Sequence, residues 1–200
     1  MARHTKNFKA KNKGIAIVGD GLCEKLYFDQ MKAHEKLTTQ IKPELPNSGS
    51  WKTVFDKVEE LLEKEYDLIY CIIDYDTVLS QNALADYNVR KAKLINTEKV
   101  KIYECNPCFE IWYLLHYEPT TRPFENCDAV FPKLKKHISD YQKTIKYYQN
   151  KQIYSFLKEN QQKAIANAER LEKDRKDFSK NYPRAEMYKL ISELLDSKLQ

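Results

Sequence analysis

The sequence predicts an α/β protein: a mainly parallel sheet flanked by helices, with a helical extension at the C-terminal end. Three observations predict it. Short β-branched runs alternate with helix-length stretches from residue 14 to residue 106, and such alternation implies crossovers between parallel strands. The run from Leu68 to Ile73 is almost wholly apolar, which suits a central strand covered on both faces. After Pro107 the β-branched runs stop and helical spacing takes over. With only 4 glycines, a turn-rich all-β sandwich is disfavoured.

The elements follow in order. Residues Gly14 to Val18 read as a buried strand, punctuated by Gly19, Asp20 and Gly21. A helix is expected from about Leu22 to Lys36, with Leu22, Leu26, Tyr27 and Met31 at helical spacing. Thr39 to Lys42 reads as a short strand stopped by Pro43 and Pro46. The loop Asn47 to Ser50 ends on a residue suited to cap the next helix. That helix carries Val54, Phe55, Val58, Leu61 and Leu62 on one face. The central strand ends at Asp74-Tyr75-Asp76. A polar helix from Leu79 to Asn96 and a strand from Lys99 to Glu104 come next. Cys108 to Tyr117 reads as an apolar helix of about three turns, closed by Pro119 and Pro123. From Asp128 the pattern is helical and polar, with a helix over Gln161 to Asp177. Met187, Leu190, Ile191, Leu194 and Leu195 form one face of a last amphipathic helix. No repeat or linker marks a boundary. The division is soft: an α/β core over 1–119 with a basic N-terminal arm, and a helical extension over 120–200 packed on it, compatible with a single domain.

The chain has 200 residues, 42% of them hydrophobic and 32% charged, as in an ordinary globular protein. No run approaches the roughly 18 apolar residues of a membrane span. The N-terminus is polar and basic, unlike a secretory leader, so a cytoplasmic location without membrane association is expected. Five cysteines without disulfide-like spacing read as reduced thiols there. The net charge of +5 permits nucleic acid without demanding it. Its distribution says more. Arg3, His4, Lys6, Lys9, Lys11 and Lys13 form a basic arm, which reads either as a nucleic-acid grip or as a solvated terminus. Lys133, Lys135, Lys136, His137, Lys143, Lys146 and Lys151 are interleaved with Tyr141, Tyr147 and Tyr148. Cations for phosphate and rings for bases are what a single-strand groove needs; the plainer alternative is a solvated face with tyrosines packed inward.

Two acidic motifs carry the chemistry. Asp20 and Glu24 stand at i and i+4 across a strand-to-helix junction, so one helix face can hold both. Asp74 and Asp76 stand at i and i+2 beyond the central strand, where extended chain points both to one side. Taken singly, these acids also suit helix caps and turn residues. Together they would lie at the C-terminal ends of strands, where ligands bind in open α/β sheets. Carboxylates converging there repel unless a cation sits among them, and Mg²⁺, with Mn²⁺ as a substitute, is the hard ion for such oxygens. Cys105, Cys108, His116 and Cys127 invite a zinc reading, but the lone C-x-x-C has no second pair, and small core residues are the better reading.

The segment Ile17 to Phe28 resembles the E-G-x-T-E-x-x-Y-F opening of Toprim-type proteins, and Asp74-Tyr75-Asp76 is similar to their D-x-D. The run Asn106-Pro-Cys-Phe-Glu-Ile-Trp-Tyr-Leu-Leu-His-Tyr117 resembles the N-P-C-F-E-x-W-x-L-L-H-F hallmark of the RloB family. Tyr141-x-Lys143, Ala164, Asn167-Ala168 and Asn181-Tyr-Pro183 add to the likeness, which spans nearly the whole chain. The resemblance implies a Toprim-like fold and an association with restriction or abortive-infection loci against phage. It implies nucleic acid, RNA or DNA, as substrate, with a partner ATPase or restriction-system protein and a homo-oligomer among the expected associations. Carried over, Asp20, Glu24, Asp74 and Asp76 become the metal and catalytic acids of a Mg²⁺-dependent nuclease. Asp20 stands where the family has glutamate and is one methylene shorter; Cys23 stands where it has threonine. These departures leave open a second reading, a nucleic-acid or partner-binding module that does not cut. Of the remaining candidates, Glu110 joins the acids or pairs with a basic residue. Lys143 stabilises charge on a transferring phosphate or is a surface lysine. Asn106 holds a turn or approaches a phosphate. His116 touches nucleic acid or caps a helix as a cation.

Overall fold

The computed structural model describes residues 14–37, 41–44, 49–174 and 182–196. The basic arm with Lys6, Lys9, Lys11 and Lys13 lies outside them, as do Thr39, Gln40 and Asn181.

Four parallel strands and one short antiparallel strand form a single sheet in the order β2-β1-β3-β4-β5. The strands are β1 (Ile15–Val18), β2 (Ile41–Glu44), β3 (Leu68–Asp74), β4 (Val100–Asn106) and β5 (Arg184–Ala185). Strand β2 runs through Pro43 rather than stopping before it, and pairs Pro43 with Ile17 of β1. As an edge strand it loses no ladder on its outer side, which is where proline is tolerated.

Strand alternation divides the interior into two apolar cores. Ile17, Tyr70, Ile72, Tyr103 and Cys105 face one layer; Ala16, Val18, Ile69, Cys71, Ile73 and Val100 face the other. Helix α1 (Leu22–Glu35) packs on the first face through Tyr27, Phe28 and Met31. Helix α2 (Trp51–Glu63) packs on the second through Val54, Phe55, Val58 and Leu61. Ser50 caps α2: Thr53 N–H donates to its side chain, and the Thr53 side chain answers at the Ser50 backbone.

Where one polar helix was expected over Leu79 to Asn96 there are two. Helix α3 (Tyr75–Ser80) starts at once after β3, and α4 (Leu84–Ile95) follows a turn whose Asn82 takes φ 49°, a left-handed conformation that asparagine tolerates. The expected three-turn helix after Pro107 is also shorter. Helix α5 (Glu110–Leu115) has six residues, all buried, and continues the first core. The later helices α6 (Phe131–His137), α7 (Ile145–Lys151), α8 (Ile153–Lys158), α9 (Gln161–Lys173) and α10 (Met187–Asp196) all contribute to that same core. The residues beyond 119 therefore share their apolar interior with α1 and α5.

The direction in which strands are added to the sheet reverses at β1. Its helix α1 leads outward to β2 on one face, whereas β3 lies on its other side and is reached through α2 on the opposite face. That reversal opens a crevice at the C-terminal ends of β1 and β3, the place where open α/β sheets bind ligands.

Candidate functional site

Three carboxylates meet in this crevice. Oxygens of Asp20, Glu24 and Asp74 all lie within 4.8 Å of one another. Asp20 follows β1, Glu24 sits in the first turn of α1, and Asp74 ends β3. Gly19 and Gly21 let the loop close over Glu24. A Cβ on Gly19 would stand 2.7 Å from Glu24 Cβ, and one on Gly21 would stand 2.7 Å from Glu24 Oε2. Asp74 is fixed by the Phe109 N–H, which donates to its Oδ1 at 2.8 Å.

Asp76 does not behave as an extended i, i+2 partner. It lies in the first turn of α3, because the helix begins at Tyr75, so strand alternation no longer relates it to Asp74. It stands outside the three-carboxylate group among the described residues. Its backbone N–H donates to Pro107 O at 3.1 Å, and its Oδ2 accepts from the Cys127 N–H at 3.3 Å. It remains close enough to raise the pKa of Asp20.

Glu110 is fully buried behind the acids. Its Oε1 accepts from Lys143 Nζ at 2.9 Å and from Tyr141 Oη at 3.1 Å. Lys143 stands on the loop between α6 and α7 and is the cation felt by Asp20, Glu24, Asp74 and Asp76 alike. Burial works against its charge, but Glu110 and Asp74 outweigh that and hold it protonated.

The electrostatics are those of a crowded acid cluster. Burial, then Lys143 in opposition and the acids Asp76 and Glu110, bring the Asp20 carboxyl to about 6. Burial and the charges of Asp20 and Glu110 push Glu24 up to about 8. Burial and its neighbours push Asp74 well above the usual carboxylate range. At 4.8 Å and an effective dielectric of about 20, each ionised pair costs about 3.5 kcal/mol. Glu24 Oε2 is buried and has no hydrogen-bond partner among the described residues. An orphaned oxygen facing two more carboxylates is what a hard divalent cation satisfies, so the donor set fits Mg²⁺ or Mn²⁺.

Other expected site residues fall elsewhere. Asn106 is buried, and its amide donates to Tyr182 O at 2.6 Å, tying β4 to the segment before β5. His116 is 1% exposed, with Nδ1 2.8 Å from Trp112 O, and burial lowers its pKa to about 4. Neither has a surface to offer a phosphate, and His116 closes its helix as a neutral ring rather than as a cation. Tyr141 and Tyr148 are buried with their hydroxyls 2.9 Å apart, so they serve Glu110 and the core rather than stacking bases. The reading of the cysteines as reduced core residues holds for three of the five and fails for two. Cys108 and Cys127 form a disulfide, while Cys23, Cys71 and Cys105 are free and buried. Loop folding across 19 residues brings the pair together, which no local spacing announces. The backbone donors of Phe109 and Cys127 were likewise missed, since main-chain groups leave no sequence signal.

A surface groove of about 510 Å³, lined by Asp140, Thr144, Lys146, Tyr147 and Lys151 among others, starts on the loop that carries Lys143, and within it Lys151 pairs with Asp140 at 3.1 Å. No described helix is long and apolar enough to cross a membrane. No curated protein and no solved structure matches the chain. A protein-family model described as RloB-like protein matches residues 15–194. The matched residues include Asp20, Glu24, Asp74, Glu110 and the Phe109 N–H that holds Asp74. The chain belongs to the RloB-like protein family.

Proposed function

We propose that the protein is a divalent-metal-dependent nuclease, cleaving phosphodiesters of RNA or DNA in defence against phage. The observation that carries the reading is the buried, unpartnered Glu24 Oε2 among carboxylates within 4.8 Å. Asp20, Glu24 and Asp74 would hold Mg²⁺ or Mn²⁺, with Asp76 in support. A cation so held supplies positive charge to a phosphodiester oxygen and acidifies a water.

The chain's own residues do the rest. Asp20 is the partly exposed member of the trio, so it is the one placed to accept a proton from the attacking water. Lys143 keeps its charge beside the acids and faces solvent with nearly half of its side chain, so it can meet the substrate phosphate. Glu110 and Tyr141 hold that lysine in place. The adjoining groove takes the strand through Lys146 and Tyr147, with Lys151 paired to Asp140 at its wall. The role in phage defence, and a partner ATPase or restriction-system protein, rest on family membership alone.

One observation favours a second reading, a module that binds without cutting: Asp20 is shorter than the glutamate of the family pattern. The test incubates the protein with mixed RNA and DNA in Mg²⁺ or Mn²⁺. Cleavage by the wild type that is lost in Asp74→Asn supports the nuclease. Equal cleavage by both refutes it. Binding without cleavage, with cutting regained in Asp20→Glu, marks the second reading.

A further inference from the structure

The disulfide reaches Asp74, which ends β3, and Asp76, in the first turn of α3. Cys108 precedes Phe109, whose N–H holds Asp74, and follows Pro107, whose carbonyl accepts from the Asp76 N–H. Cys127 donates its own N–H to Asp76 Oδ2, and its Sγ lies 3.3 Å from Glu110 Oε2. One covalent link therefore joins the two backbone segments that position Asp74 and Asp76. Between its ends runs the stretch Thr121, Arg122, Glu125 and Asn126, which is exposed and anchored inward at Phe124.

We propose that Cys108–Cys127 is a reversible thiol–disulfide modification site whose state sets how firmly Asp74 and Asp76 are held. The consequence for metal affinity rests on the acid-site reading above. The site is asymmetric: Cys108 is fully buried and Cys127 is partly exposed. A dithiol reductant thus attacks Cys127 Sγ. The S–S bond breaks, and Cys108 leaves and takes up a proton. The second thiol of the reductant then closes on the mixed disulfide and releases Cys127 as a thiol. Two electrons and two protons pass from the dithiol, which becomes a disulfide, to the cysteine pair. Once freed, the segment before Cys127 regains chain freedom, and the Cys127 N–H is no longer pinned to Asp76. The freed Cys127 thiol gains Glu110 Oε2, 3.3 Å away, as a hydrogen-bond acceptor, so the local packing survives.

The test compares oxidised protein, protein reduced with dithiothreitol, and reoxidised protein. Amide hydrogen exchange is read over residues 107–111 and 125–129, and Mn²⁺ affinity by titration. Reduction is expected to speed exchange at Phe109 and Cys127 and to weaken Mn²⁺ binding about tenfold, the effect of losing groups that orient metal ligands. Reoxidation reverses both. Cys127→Ser behaves as the reduced form under either condition. Unchanged exchange on reduction overturns the proposal. Faster exchange with no Mn²⁺ binding in any form supports the bridge's hold on the acids and sinks the metal reading instead.

Discussion

Glu24→Gln should make the metal-free protein more stable, the reverse of what removing a buried hydrogen-bonding group usually does. Burial and neighbouring charge move the Glu24 carboxyl from 4.5 to about 8. Between those values the folded state keeps a proton that the unfolded chain has released. Folding stability therefore falls as pH rises, by about 1.4 kcal/mol per pH step. At pH 7 the penalty for this one residue is about 3 kcal/mol. Glutamine has the same shape, carries no charge, and turns one orphaned oxygen into an N–H that can donate to Asp20 or Asp74. In a protein of this size, about 3 kcal/mol corresponds to a melting-temperature rise of roughly 6–12 °C. The assay is thermal and urea unfolding in EDTA from pH 5 to pH 9. Wild type should lose stability across that range while the variant declines less. Adding Mg²⁺ at about a hundred times its Kd should return about 2.7 kcal/mol to wild type and little to the variant. A variant no more stable than wild type at pH 7–8, or a wild-type profile flat from pH 5 to pH 8, would refute the reasoning.

Three further outcomes follow from the geometry. Lys143→Met strips the fully buried Glu110 of its cation but leaves Tyr141 bonded, so unfolding free energy should drop by about 1–3 kcal/mol, and adding Glu110→Gln should restore part of it. His116 should stay neutral by NMR from pH 8 down to pH 5. Because its pKa falls from 6.5 to about 4, its contribution to stability is kept above 6.5 and lost as pH drops toward 4, by about 3 kcal/mol in all. Ser50→Ala removes the acceptor at the start of α2 and should cost about 1 kcal/mol in urea denaturation.

Much of the architecture was legible because apolar period and punctuation are local signals. Val54, Phe55, Val58 and Leu61 share a face as their spacing demands, and Ser50 caps where its side chain is needed. The convergence of Asp20, Glu24 and Asp74 was also legible, since strand ends in a parallel sheet fall on one side. What failed was long-range. Asp76 was misplaced because α3 starts directly after β3 instead of leaving extended chain. The hallmark run read as a longer helix because burial of all six α5 residues imitates a continuous apolar pattern. Of the two readings of the lysine–tyrosine stretch, Tyr141 and Tyr148 follow the inward-packed one, a choice the fold makes because a tyrosine sequence does not reveal which way its rings turn. The disulfide needed the fold of the loop between its ends, and Asn106 and His116 drew attention through their place in the hallmark rather than through exposure.

The most direct measurement of the shared-cation claim is a Mn²⁺ titration of the wild type and of Asp74→Asn, which keeps the Oδ1 acceptor for Phe109 N–H. One site on the wild type, weakened at least about tenfold in the variant while its fold is retained, is the predicted result. Identical isotherms for the two proteins, or no site on either, would contradict it.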